Sequence, residues 1–351
     1  MPPGVSVAAA RATARRWVAG HAAGMPGYRG AFHTGSICWA PADAVVPRTS
    51  DVDLSIVLEA PEPPPKLGKF RHDGVTLDVA FRPPAHVATA ERVLGDPHLA
   101  GAFAHAPVID DPSGALAGIA ARVAADHAQR RWVLRRCDAL EQRIRDRFAR
   151  IDGAAPLADQ IVRWVFPTGV LAHLPLAAAL RNPTVRRRYV AARAVLVEAG
   201  RADVYATLLE LLGCEAMPAS TVRGHLGALA DVVDATAPHA DASALPFASD
   251  VGAAARPIVL DGSADLIADG LHREAVFWIV ASYAKCLLVL ADRGDRRRAE
   301  QAMPGFRRLV ADLDVPTPEL VDRRRRAALA YLPELRAVTD AMVDADPRIT
   351  R

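Results

Sequence analysis

The sequence predicts an α+β protein, with a small mixed β-sheet domain over residues 1–115 followed by an α-helical bundle domain over 116–351. Three observations carry this. Strand-type alternation of apolar and polar residues is confined to the stretch before the turn "DDPSG" at 110–114. Beyond that turn, apolar residues recur at three-and-four spacing, the signature of helices that need partners. The 351 residues suffice for two cores, and no repeat of fixed period runs through them.

The elements follow in order. A helix is expected at roughly residues 5–20, then a short apolar strand, "YRGAFHTGS", that stops at Gly35. After a loop, "SDVDLSIVL" reads as a second strand, with Asp51, Asp53 and Ser55 on one face and Val52, Leu54 and Ile56 on the other. The proline cluster "APEPPPK" ends it. In "LGKFRHDGVTLDVAF", Asp73 and Gly74 lie between two alternating runs, a short-range hairpin signal. A helix around 86–95 and a brief strand, "APVID", complete the sheet domain. The helical part starts with the long periodic stretch at 114–150, and further runs lie near 157–180, 184–212 and 218–235. Residues 237–263, rich in proline and small side chains, read as a long surface loop. Helices near 264–293 and 317–344 finish the chain.

Composition narrows the function classes. With 43 basic and 40 acidic residues the net charge is only +3, which predicts no long nucleic-acid footprint. Arginine dominates the basic residues, since Lys66, Lys69 and Lys285 are the only lysines. Cys38, Cys137, Cys214 and Cys286 lie far apart without metal-type spacing, so reduced thiols in a cytoplasm are expected. The N-terminal stretch is interrupted by Arg11, Arg15 and Arg16, unlike a signal peptide, and reads as a surface helix. The longest apolar runs are broken by prolines or by Lys285, so no membrane span is expected.

The carboxylates of the second strand carry the chemistry. Residues i and i+2 of a strand share a face, which projects Asp51 and Asp53 together with α-carbons roughly 7 Å apart. Asp78 sits mid-strand in "GVTLDVAF", where propensity favours Val, Thr or Ile. If the two strands are neighbours, three carboxylates converge; alone they repel one another, and with Mg²⁺ they become a site of hard oxygen ligands. The strand ending in Gly35-Ser36 adds backbone N–H groups and a hydroxyl suited to phosphate oxygens. Phosphate donors beside paired carboxylates and a divalent metal suggest transfer of a phosphoryl or nucleotidyl group from a nucleoside triphosphate.

A lone D-x-D is ordinarily a strand-start turn, but the conjunction is more specific. Gly35-Ser36 closing an apolar strand, Asp51-x-Asp53 opening the next and Asp78 in a third resemble the DNA-polymerase-β-like nucleotidyltransferase superfamily. The turn "VIDDPSG" resembles the element that closes this domain in its smaller members, and a helical domain behind it is similar to bacterial aminoglycoside nucleotidyltransferases. The motifs cover about residues 5–115; beyond them the likeness is one of architecture. The resemblance implies that Asp51 and Asp53 hold two Mg²⁺ ions, with Mn²⁺ an alternative, and that Asp78 completes the first metal site and helps deprotonate the acceptor. It also implies that Gly35 and Ser36 hold the triphosphate of an NTP, with ATP expected. The helical domain would then wall a small hydroxylated acceptor, and a homodimer is allowed for because some relatives build their site across one. One departure is the long, proline-bearing insert "CWAPADAVVPR" between Ser36 and Asp51, where a helix would normally begin.

The lysines admit two accounts each. Lys66 and Lys69 flank the loop beside the proposed site, either as solvated residues or as triphosphate ligands. Lys285 stands in the apolar helix "EAVFWIVASYAKCLLVL", either snorkelling or contacting a β- or γ-phosphate; Glu274 and Trp278 share its helical face. His33 reads as a packed or surface histidine, with a catalytic role the lesser alternative, and the arginine run at 186–193 reads as a solvated face. Two other functional classes stay open: nucleotidyl transfer to protein or RNA, supported by that arginine run alone, and a non-catalytic nucleotide-binding regulator of the same fold.

Overall fold

The structure, a computed structural model, describes residues 4–62, 64–105 and 107–351. By packing, the chain divides into two compact units. Unit 1 comprises 1–139 with the short returns 180–183 and 346–351, and unit 2 comprises 140–179 and 184–345. The division therefore falls inside a helix near residue 139, beyond the boundary expected at 115.

Unit 1 holds a five-stranded mixed sheet: β1 (Tyr28–Thr34), β2 (Val52–Leu58), β3 (Gly68–His72), β4 (Val75–Arg82) and β5 (Val108–Asp110), in the order β3-β4-β2-β1-β5. β2 and β4 are parallel, and every other pair is antiparallel. The hairpin turn between β3 and β4 is Asp73-Gly74, both in the left-handed region at φ 44° and 80°, as a two-residue connection of this hand requires.

Helix α1 (Val7–Trp17) covers one face of the sheet, its Ala10, Ala14 and Trp17 packing with Leu54, Ile56, Leu77 and Val79. The other face is covered by α2 (Ala90–Gly95), α3 (Leu99–Ala104) and α4 (Ala115–Asp126), through Val93, Leu99, Phe103, Leu116 and Val123 against Phe32 and Val57. Pairing with α2 and α3 is why α4 belongs with the sheet and the unit boundary moves. The helix expected at 86–95 is a single 3₁₀ turn, Pro84–Val87, followed by α2, whose N-cap Thr89 accepts from Arg92 N–H.

Helix α5 (Arg130–Phe148) bridges the division. Unit 2 is all helical: α6 (Leu157–Leu171), α7 (His173–Ala178), α8 (Arg188–Glu198), α9 (Ala202–Leu212), α10 (Ala219–Ala240), α11 (Arg256–Val259), α12 (Asp261–Ala268), α13 (His272–Asp292), α14 (Arg296–Asp312) and α15 (Pro318–Ala345). Its centre is α13, buried on nearly every side and packed by α6, α10, α12 and α14.

Two expectations are corrected here. Residues 237–263 are no long loop: α10 runs on through Pro238, and the small residues after it fold into 3₁₀ turns at Ala248–Val251 and Ala253–Ala255 and then α11, with Pro257 in its first turn. Helix α14 was missed. Its Ala302, Phe306, Leu309 and Val310 are buried at helical spacing, but Pro304 interrupts a stripe that is otherwise charged. The segments Leu157–Ala178 and His272–Asp292 are long and apolar enough to cross a membrane, and each is largely buried inside unit 2.

Candidate active site

The site is assembled at the ends of β1, β2 and β4. Register pairs Thr34 with Asp53 and Asp53 with Asp78, so the parallel β2–β4 pairing sets the two aspartates directly abreast. Strand alternation sends Val52, Leu54, Leu77 and Val79 into the α1 face and leaves Asp53 and Asp78 on the other. Asp51 enters just ahead of β2. One carboxylate oxygen from each of Asp51, Asp53 and Asp78 lies within 4.8 Å of the others, a grouping that could hold a metal ion.

β1 ends against this cluster. Gly35 opens a 3₁₀ turn, Gly35–Cys38, at φ 67°. A Cβ built there would stand 2.0 Å from Asp53 Oδ2, so only glycine lets the turn approach the carboxylate so closely. Ser36 is exposed beside it. The turn is pinned from behind by Arg11 of α1, whose Nη2 donates to the Ile37 carbonyl at 2.6 Å. The insert that follows runs beside the N-terminus: Val7 and Ala8 N–H groups donate to the Ala44 and Ala42 carbonyls, each at 2.8 Å, and Val46 N–H donates to Val5 O at 2.8 Å. It thus satisfies the first N–H groups of α1, and these residues run as turns around a single bridge between Ser6 and Val45 instead of forming a helix of their own.

The lysines of the β3 arm reach the carboxylates. Lys69, opposite Asp78 in the β3–β4 ladder, places Nζ 2.7 Å from Asp78 Oδ2 and 3.2 Å from Asp51 Oδ2. Lys66 Nζ lies 2.8 Å from Asp78 Oδ1 and 2.9 Å from Oδ2. Oδ1 of Asp78, wholly buried, is at ion-pair distance from Lys66 but outside hydrogen-bond geometry, so it has lone-pair capacity unused. Lys66 and Lys69 were read either as solvated residues or as triphosphate ligands; here they contact the acids themselves.

Burial, then Asp51 and Asp78, push the Asp53 carboxyl well above the usual carboxylate range, against the opposing pull of Lys69 and Lys66. His33, on β1, is buried; burial and then Arg11 push it down to about 4, and its Nδ1 has no hydrogen-bond partner. Of the two ordinary placements the sequence allowed, packed or surface, it is the packed one, with its neutral form favoured.

Three carboxylates, of hard oxygen-donor chemistry and gathered against the Gly35 turn, form a group that could hold a metal ion. Lys285 belongs to unit 2. Its ammonium lies 2.6 Å from Asp250 Oδ2 and 4.8–5.6 Å from the ring centroids of Phe166, Trp278 and Phe247. That ion pair and aromatic wall account for a lysine in an apolar helix without a phosphate. Glu274, on the same helix, accepts from Tyr205 and sits 3.7 Å from Arg193, and Arg188 is buried with its guanidinium 4.0 Å from the Phe277 ring centroid, so the arginine run expected as a solvated face is in part drawn into the core. Sequence reasoning missed Arg11; its place one turn after Val7, on the buried side of α1, was the available signal. No family model matches this chain, and neither a curated protein nor a solved structure does.

Proposed function

We propose that this protein is a metal-dependent nucleotidyltransferase of the DNA-polymerase-β-like kind, moving a nucleoside monophosphate from an NTP, with ATP the expected donor, to a hydroxyl of a small acceptor. The observation that carries this is the abreast pairing of Asp53 with Asp78, with Asp51 alongside, beneath a Gly35 turn that tolerates no side chain. Held by Asp51, Asp53 and Asp78, Mg²⁺ would supply charge neutralisation on the transferring and departing phosphates.

The chain's own groups have distinct tasks. Backbone N–H groups at Gly35 and the exposed Ser36 hydroxyl offer donors for phosphate oxygens. Lys66 and Lys69 bring compact charge to the same spot. The acceptor oxygen attacks the α-phosphorus; a new P–O bond forms as the bond to the bridging oxygen of pyrophosphate breaks, and pyrophosphate leaves with that electron pair. Asp78 is the group proposed to receive the acceptor's proton. The sheet and its flanking helices fix these groups on rigid elements, which is the main contribution a protein makes to this chemistry.

The test is pyrophosphate release from each NTP with Mg²⁺ or Mn²⁺ against a library of hydroxylated metabolites and aminoglycosides. Release that requires an acceptor and is lost in Asp53→Asn is expected. Turnover that persists in Asp53→Asn, or an absence of any metal-dependent triphosphate binding, would sink the assignment.

A further inference from the structure

We propose, resting on the metal–triphosphate reading of this site, that Lys66 and Lys69 occupy the cation position when no nucleotide is bound, so that divalent metal enters effectively only together with a triphosphate. The juxtaposition is direct. Both ammonium groups contact Asp78, and Lys69 also reaches Asp51, so two of the three candidate metal ligands already hold a cation.

Charge balance gives the coupling its sign. Three carboxylates and two ammonium groups leave one net negative charge. Two dications added alone would turn that into three positive charges, with ammonium and metal competing for the same oxygens. A triphosphate, with roughly four negative charges, restores the starting balance and gives a displaced ammonium group phosphate oxygens to face. Metal and triphosphate therefore enter as one unit.

The two lysines differ in how they can respond. Lys69 is fixed within β3 by its ladder position opposite Asp78, and its side chain is only 7 % exposed. Lys66 lies in the coil before β3, two residues ahead of the strand's first residue, Gly68 at φ 72°, and its side chain is 30 % exposed. Lys66 is the one that leaves Asp78 for the phosphate, and Lys69 stays as the fixed charge.

The experiment is equilibrium dialysis of the full-length chain against Mn²⁺, with and without inorganic tripolyphosphate, for the wild type, Lys66→Met, Asp53→Asn and Arg71→Met. Arg71, on β3, donates to Thr76 Oγ1 and touches none of the acids, so its variant measures the effect of removing a nearby charge alone. Expected is weak Mn²⁺ uptake by the wild type, raised about tenfold or more by tripolyphosphate, with Lys66→Met binding Mn²⁺ alone about tenfold more tightly. Arg71→Met should follow the wild type within about twofold. Circular dichroism verifies folding, and Lys66→Gln replaces Lys66→Met if the latter misfolds. Equal Mn²⁺ affinity in wild type and Lys66→Met, with loss in Asp53→Asn, overturns the lysine role and leaves the metal site standing; so does an Arg71→Met effect as large as that of Lys66→Met. Absence of Mn²⁺ uptake by every variant in both conditions overturns the nucleotidyltransferase reading along with it.

Discussion

Alanine at position 35 tests whether the Gly-Ser turn and Asp53 work as one unit. At φ 67° an alanine takes on the left-handed penalty, ~1–2 kcal/mol. Its Cβ would also stand 2.0 Å from Asp53 Oδ2 and 2.9 Å from Cγ, whereas ordinary contact begins at 3.4 Å. The carboxylate oxygen must therefore retreat by about 1.4 Å, the difference between 3.4 Å and 2.0 Å. A misplacement of ~1 Å in a positioned reacting group costs on the order of a hundredfold in rate. Gly74→Ala is the matched control, because Gly74 has the same hand at φ 80° but nothing within 4 Å of a Cβ built there. Urea denaturation should find both variants destabilised by ~1–2 kcal/mol. Acceptor-dependent pyrophosphate release, measured under conditions where both are folded, should fall about a hundredfold in Gly35→Ala alone. If Gly35→Ala retained activity within about threefold of Gly74→Ala, the turn would have no part in holding Asp53.

Two further outcomes follow from groups beside and beyond the site. His33 falls from 6.5 to about 4 on burial, so its neutral form is favoured in the fold; that stability is whole above pH 6.5 and lost as pH drops toward 4, a span worth about 3 kcal/mol. His33→Gln should flatten this part of the urea-midpoint profile, and a variant profile parallel to the wild type would assign the acid loss elsewhere. In unit 2, Asp250→Asn removes the carboxylate from buried Lys285 and should cost ~3–5 kcal/mol, most of it recovered in the double variant with Lys285→Met. A tenfold or greater loss of triphosphate affinity in Lys285→Met alone would instead return that lysine to the nucleotide.

Much of unit 1 could be read from local pattern. Period-two alternation assigned Asp51 and Asp53 to one face and Val52, Leu54 and Ile56 to the α1 side, and the Asp73-Gly74 pair marked its hairpin, because these features depend on neighbours in sequence. The convergence of Asp78 on Asp53 depended on β2 and β4 being adjacent, which only a long-range pairing decides. The same limit hid the lysines' partners: Lys69 meets Asp78 through the β3–β4 register, and Lys66 follows from the coil before it. In unit 2, prolines misled twice in the same direction, toward non-helical readings. Pro238 and Pro304 lie inside helices whose packing outweighs the lost hydrogen bond, so a segment read as loop is largely short helical turns, and α14 went unread. Lys285 looked selected for a phosphate because Asp250, thirty-five residues away in the chain, could not be matched to it by spacing.

Could the acids and lysines be a structural network with no chemistry behind it? The pH and metal dependence of stability at Asp53 would separate the two. A residue kept for stability should have its charged form favoured by the fold, yet burial, Asp51 and Asp78 together hold the Asp53 carboxyl well above its usual range. With the folded value above the unfolded one, the fold binds the proton more readily, so Asp53 subtracts stability progressively as pH rises from the unfolded carboxylate range through the folded value. In metal-free buffer at neutral pH, Asp53→Asn should therefore melt above the wild type. Addition of Mn²⁺ with tripolyphosphate should raise the wild-type melting temperature and leave the variant unmoved, because only a carboxylate at this position gains from the cation. A structural network predicts the opposite first result, with Asp53→Asn less stable than wild type. Destabilising in isolation and stabilising once metal and triphosphate arrive is the pattern a ligand-binding carboxylate would give, and these two melting series separate that reading from a purely structural network.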